Sequence, residues 1–204
     1  MEPREAIALC ADGHRRLLAR LEGGDDSTAR RPSRLPGWSV GHVLTHLARN
    51  ADGHIRRLEG ALAGREVARY PGGPEQREQE IQTGASRPWA ELAGDVRDTA
   101  RRLEETWARC EVAGWPHAEL VAADRWPTTG SPVRRLREVE VHHVDLGLGY
   151  EPEDWPEAYV RWELEASLPR LPERIGDLGD TRGLVGWLTG RGAWPREPRL
   201  SPWL

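Results

Sequence analysis

The chain of 204 residues has no lysine and no phenylalanine, one methionine and two cysteines. Without lysine there is no ε-amine for Schiff-base chemistry. All 29 basic residues are arginine, so only guanidinium groups are available to hold carboxylates or other anions. Cys10 and Cys110 each fall inside a helical pattern, which argues against a disulfide framework and for free, partly buried thiols. No apolar run approaches the roughly 20 residues of a membrane span. The opening Met1-Glu-Pro-Arg-Glu5 lacks the basic-then-apolar layout of a signal peptide, so a cytoplasmic chain with no membrane partner is expected. A net charge of −4 gives no electrostatic footprint for nucleic acid.

The remaining composition, 38% hydrophobic and 30% charged, is that of a globular chain long enough for one main domain and a small appendix. Helical periodicity dominates. Residues 5 to 22 carry Ile7, Leu9, Cys10, Leu17, Leu18 and Leu21 and stop at Gly23-Gly24. After a turn-rich connector, Ser39 stands as N-cap before a stripe at Val40, Val43, Leu44, Leu47, Ala51, Ile55, Leu58 and Leu62. Residues 65 to 74 read as loop and Glu75 to Gln82 as a short helical turn. Pro88 then opens a third helix whose inner face is Trp89, Leu92, Val96, Ala100, Leu103 and Trp107. The segment 111 to 131 is irregular, and residues 132 to 147 form the fourth helix. Four such helices make a bundle over residues 1–149. Residues 150–204 form a small, mostly helical appendix with helices from Glu157 to Leu168 and from Asp180 to Leu188, then a Pro-rich tail.

The fourth helix contains "REVEVHHVDL" (137 to 146), two carboxylates and two adjacent imidazoles within a core-packed segment. Glu138 and His142 are four residues apart and share one face, with Cβ atoms about 5–6 Å apart. A metal ion would turn both costly groups into ligands. His46 lies beside the stripe of Val43, Leu44 and Leu47 and points to the bundle interior, so it is the natural third donor. Two histidines and one carboxylate leave an open coordination position, as catalytic metal sites do. The same Glu–His spacing also suits a simple surface hydrogen bond. His42 and His46, themselves four apart, leave a competing site on the second helix alone. His14, His54, His117 and His143 read as surface or packing residues. Glu140 and Asp145 read as solvent-facing or paired with Arg134, Arg135 or Arg137.

Three stretches carry a resemblance that reaches most of the chain: "LPGWSVGHVLTHLARNADGHIRRLEGA" (35 to 61), "REQEIQTGASRP" (77 to 88) and "REVEVHHVDLGLGYEPEDWP" (137 to 156). Their order resembles the mycothiol-dependent maleylpyruvate isomerase family, whose N-terminal domain is a DinB-like metal-binding four-helix bundle. The resemblance implies a divalent metal, usually zinc, on His46, Glu138 and His142. It also implies an active-site role for Arg77, as a catalytic and cofactor-binding residue. Mycothiol is the implied thiol cofactor, a small electrophile the implied substrate, and a monomer or homodimer the expected state. The implied reaction is isomerisation of maleylpyruvate to fumarylpyruvate by addition of the thiolate, rotation and elimination. Two other readings stay open: a mycothiol S-transferase acting on another electrophile, and a non-catalytic metal-binding or regulatory bundle. Arg77 could equally form a surface salt bridge with Glu75 or Glu80. The chain departs from the family where it usually carries a larger mixed α/β C-terminal domain, which bears on substrate specificity more than on the metal site.

Overall fold

The computed structural model describes residues 1–116 and 127–170, with 182, 185, 186 and 189–191. Seven α-helices are present among the described residues: α1 (Pro3–Leu21), α2 (Asp26–Arg30), α3 (Val40–Leu62), α4 (Gly73–Gly84), α5 (Trp89–Val112), α6 (Ser131–Asp145) and α7 (Glu157–Ser167). The four long helices close a ring in which α3 packs along α5, α5 on α1, α1 along α6 and α6 on α3. The protein is mainly α, with a four-helix bundle as its body. The chain divides into two compact units, Met1–Tyr159 and Val160–Leu204. The first continues past α6 because Tyr150 and Trp155 hydrogen-bond to Glu140, through the phenol and the indole N–H, and Tyr159 is buried. In the second, α7 runs on to Ser167 and ends in a 3₁₀ turn, Leu168–Arg170. Of the helix expected from Asp180 to Leu188, Arg182, Val185 and Gly186 are described and are helical; its other residues, the Pro-rich tail and His117 lie outside the described residues.

Periodicity explains the long helices. Val43, Leu44, Leu47, Ala51 and Leu58 of α3 are fully buried against Leu92, Val96, Leu103 and Trp107 of α5. Burying each large aliphatic side chain stabilises the bundle by roughly 1.5–3 kcal/mol. Two helices follow other rules. The stretch expected as connector contains α2, a single turn held by a capping box in which the Asp25 carboxylate accepts from the Thr28 N–H at 2.9 Å. The segment expected as a short turn is the twelve-residue α4, whose one buried residue is Ile81. Gly41 lets the end of α4 come close to α3, since a Cβ there would stand 2.2 Å from the Ala85 carbonyl oxygen. Arg77 and Ile81 are four apart, so the face that docks on α3 also carries Arg77 toward it.

Polar groups join α3 to α6 inside the bundle. Arg135 is fully buried and donates from Nη1 to the Leu47 carbonyl (2.8 Å) and to Asn50 Oδ1 (2.9 Å). Its Nε–H donates to His14 Nε2 at 3.3 Å, which leaves the His14 proton on Nδ1, 2.7 Å from Glu104 Oε1. Ser131 Oγ accepts from the Trp107 indole N–H (3.0 Å) and hydrogen-bonds with His54 Nδ1 (2.9 Å).

Glu140 is fully buried, ion-paired at 2.7 Å with Arg16 of α1 and hydrogen-bonded by Tyr150. It neither faces solvent nor pairs within its own helix, because α6 is walled by α1 on one side and α3 on the other.

Arg135→Met keeps most of the unbranched stem but strips three buried acceptors of their donor. Chemical denaturation of this variant is expected to show a loss of about 3–5 kcal/mol; a loss below about 1 kcal/mol would mean that water reaches these acceptors.

Candidate metal centre

His46 on the second turn of α3 and Glu138 and His142 on α6 converge at one end of this interface, with a donor atom from each within 4.8 Å of the others. His46 Nε2 lies 2.9 Å from Glu138 Oε2 and His142 Nε2 lies 3.3 Å from the same oxygen. The two imidazoles meet edge to face, ring centres 4.5 Å apart. Both histidines are 2% exposed and the Glu138 side chain 15%, so the centre is buried with one partly open edge.

The hydrogen bonds around the rings fix their tautomers. Asp145 Oδ2 lies 2.8 Å from His142 Nδ1, so that nitrogen carries a proton and Nε2 points into the centre. Nε2 of His142 is buried and without an aligned hydrogen-bond partner. Arg77 Nη2 sits 2.8 Å from His46 Nδ1. A guanidinium only donates, so Nδ1 accepts and the His46 proton lies on Nε2, toward Glu138. Burial holds the His46 pKa down to about 4 despite Glu138. Burial also opposes charge on His142, but the Asp145 and Glu138 carboxylates outweigh it and push its pKa up to about 9. Burial would raise the Glu138 pKa, yet the two histidines hold it well below the usual carboxylate range. The centre is thus an ionised carboxylate beside one neutral and one protonated imidazole.

This donor set fits a divalent metal: two imidazole nitrogens and one carboxylate oxygen, borderline in softness, with a buried inward nitrogen that makes no aligned hydrogen bond. Three protein ligands would leave a coordination position for another molecule.

The sequence-nominated residues His46, Glu138, His142 and Arg77 therefore lie together. Arg77 does not pair with Glu75 or Glu80; Glu80 takes its hydrogen bond from Gln76. His42 does not share a centre with His46, because its Nδ1 turns back to the Ser39 backbone N–H (3.1 Å), capping its own helix, and its Nε2 is 3.1 Å from Gln82. His14, His54 and His143 are buried packing residues. Asp145, expected at the surface or on an arginine, instead holds His142. Its i, i+3 spacing from that histidine was the available signal. Trp38, 5.8 Å from His46 between ring centres, walls the centre without any mark in the sequence pattern.

A helical bundle with an inward-facing cluster of two histidines and a glutamate defines the DinB-like class of metal-binding bundles. Within that class the chain belongs to the family described as mycothiol maleylpyruvate isomerase N-terminal domain, which matches residues 10–147. A crystal structure of the mycothiol-dependent maleylpyruvate isomerase is similar with a TM-score of 0.72 and 28% identity, over 79% of this chain and 67% of that one. A structure of a histidine-to-alanine mutant of that enzyme gives the same values. No match was found among curated proteins. No described helix is long and apolar enough to cross a membrane.

With His142 protonated below about pH 9 and His46 already neutral, zinc uptake by the metal-free protein is expected to release one proton. Affinity should then rise about tenfold per pH unit between about pH 6 and 8. Chelator competition at several pH values measures this, and a pH-independent affinity would show that His142 is not displaced from its proton. His46→Ala should lose zinc by orders of magnitude and His143→Ala should keep it.

Proposed function

We propose that this chain is a metal- and thiol-dependent isomerase that converts maleylpyruvate to fumarylpyruvate with mycothiol, using zinc on His46, Glu138 and His142. The observation that carries the reading is the open three-donor centre with its unsatisfied His142 Nε2, in a chain of this family.

An external thiol is needed, because the chain has no reactive thiol of its own. Burial pushes the Cys110 thiol up to about 11 and Cys10 higher still, so neither is a thiolate at neutral pH. Zinc, when bound, would supply the missing acidity by lowering the pKa of a coordinated thiol from its free value of about 8.5. The thiolate sulfur then bonds to one alkene carbon and the π electrons move to the conjugated carbonyl as an enolate. The former double bond rotates, the enolate re-forms it in the trans geometry, and the thiolate leaves unchanged.

The residues of this chain perform the positioning. Asp145 holds the His142 ring through Nδ1, which keeps Nε2 directed inward. Arg77 offers a permanent cation at the edge of the centre and, by binding a substrate carboxylate, aligns the alkene with the sulfur. Trp38 and the buried bundle wall keep bulk water from competing with the thiol.

The test incubates zinc-loaded protein with maleylpyruvate and a small amount of mycothiol and follows both. Many turnovers to fumarylpyruvate with the thiol undiminished are expected. Thiol consumed one for one would make the chain an S-transferase, and failure to retain any divalent ion would leave a non-catalytic bundle. Arg77→Gln should lower kcat/KM about 100-fold while zinc content holds, since the residue touches substrate and not metal; loss of zinc instead would make it a structural support of the centre.

A further inference from the structure

Arg34 lies outside the metal centre, yet its backbone and its side chain both hold the turn that walls it. Residues 33 to 38 reverse the chain tightly: the Ser33 N–H and hydroxyl both donate to the Trp38 carbonyl at 2.9 Å, and Gly37 takes the left-handed conformation (φ 79°). The turn touches both helices that carry the proposed ligands. On the α3 side the Trp38 ring stacks on His42, centres 6.1 Å apart, and leans on His46 at 5.8 Å. On the α6 side the Arg34 N–H donates at 2.8 Å to the carbonyl of Asp145, the last residue of the helix. The carboxylate of that same Asp145 holds His142.

The Arg34 side chain makes a second attachment. Its stem crosses Gly147, where a Cβ would stand 3.8 Å from Arg34 Cγ. Its guanidinium grips Glu151 in two places, Nη1 donating to Oε2 at 2.7 Å and Nη2 to Oε1. Glu151 is itself fixed, because the neighbouring Tyr150 hydroxyl donates to buried Glu140 and its own N–H donates to Asp154 Oδ2 at 2.9 Å. An exposed ion pair adds little to folding stability, but a two-point grip fixes an orientation. Without it, one backbone hydrogen bond would tie the turn to α6 among the described residues. We propose that Arg34 is a positioning residue of the centre: by clasping Glu151 it keeps the Trp38 ring against His46 and narrows the way in and out. Arg34 acts through Trp38 and touches neither metal nor substrate. The clasp rests on these contacts alone, while its use in keeping water from a reacting thiolate rests on the isomerase reading.

The rate at which excess chelator strips zinc from the loaded protein reads the wall with no activity assay. Arg34→Gln and Trp38→Ala are each expected to speed the loss about tenfold. Combined, they should be no faster than Trp38→Ala alone, because the clasp then has no wall to hold. Arg34→Glu should speed the loss as well, and adding Glu151→Arg should restore the slow rate. Arg34 is exposed, so its variants are expected to fold with the parent's denaturation midpoint; should Trp38→Ala fail to fold, the exchanged pair decides by itself. Amide hydrogen exchange over residues 33 to 38 of the metal-free protein should also quicken in Arg34→Gln, a readout that stands whether or not the chain holds zinc or turns over any substrate. Additive effects of the two substitutions, or no recovery in the exchanged pair, would overturn the proposal. Faster exchange with an unchanged rate of zinc loss would overturn it too, leaving Arg34 a support of the loop alone.

Discussion

The structure depends on an antiparallel ladder of polar groups between α3 and α6. Its rungs are His46 with Glu138, Asn50 with Arg135, and His54 with Ser131. Residue numbers rise by four along α3 while they fall by three and then four along α6, as two antiparallel helices facing each other require. All of these groups lie in the bundle interior, where a polar atom without a partner costs more than a packing fault. Sliding or rotating α6 by one residue would unpair every rung at once. The ladder therefore sets the register of α6 on α3 far more sharply than aliphatic packing could, since apolar side chains tolerate repacking. The metal centre is the last rung, placed where the ladder meets the partly open end.

That constraint explains which features could be read from the sequence. The four long helices were legible because each carries an apolar stripe. His46, Glu138 and His142 were legible because spacing and neighbouring apolar residues gave their direction. Glu140 and Asp145 were not, for a common reason: a lone helix has a wet side, whereas α6 has α1 on one flank and α3 on the other. Glu140 consequently meets Arg16, and Asp145 is drawn to His142 at the rim. Arg135 escaped for the same reason, because a fully buried arginine is recognisable only when the acceptors on α3 and α1 are seen around it. α2 and α4 were beyond periodicity. One is a single capped turn, and the other has only Ile81 to bury, so its place comes from the close approach that Gly41 permits.

The position of Arg77 follows from its docking on α3 and has a chemical consequence. A neutral imidazole has one N–H, and while Arg77 donates to Nδ1 the His46 proton must sit on Nε2. Coordination through Nε2 requires the opposite tautomer, which presents an N–H to a guanidinium that can only donate. Arg77 and a metal thus compete for His46 through its two nitrogens, although they never touch. In the coordinated tautomer the guanidinium must find another acceptor, and a substrate carboxylate is the one that the proposed chemistry supplies.

The absence of lysine is relevant to this arrangement. A lysine so close to a metal could lose its proton, become a ligand and fill the position that the proposed chemistry reserves for a thiol, since buried amines shift their pKa readily. An arginine stays charged across the working range of pH and offers no lone pair to a metal. On the proposed function a guanidinium such as Arg77 can therefore sit at the edge of the centre and draw an anionic substrate beside the open position without ever occupying it. Its cost is electrostatic repulsion of the metal itself, which Glu138 offsets by staying ionised in the interior and Asp145 offsets from behind His142. On the proposed function these carboxylates and the guanidinium are one arrangement: Glu138 and Asp145 would hold the cation, and Arg77 would hold the anion that has to reach it.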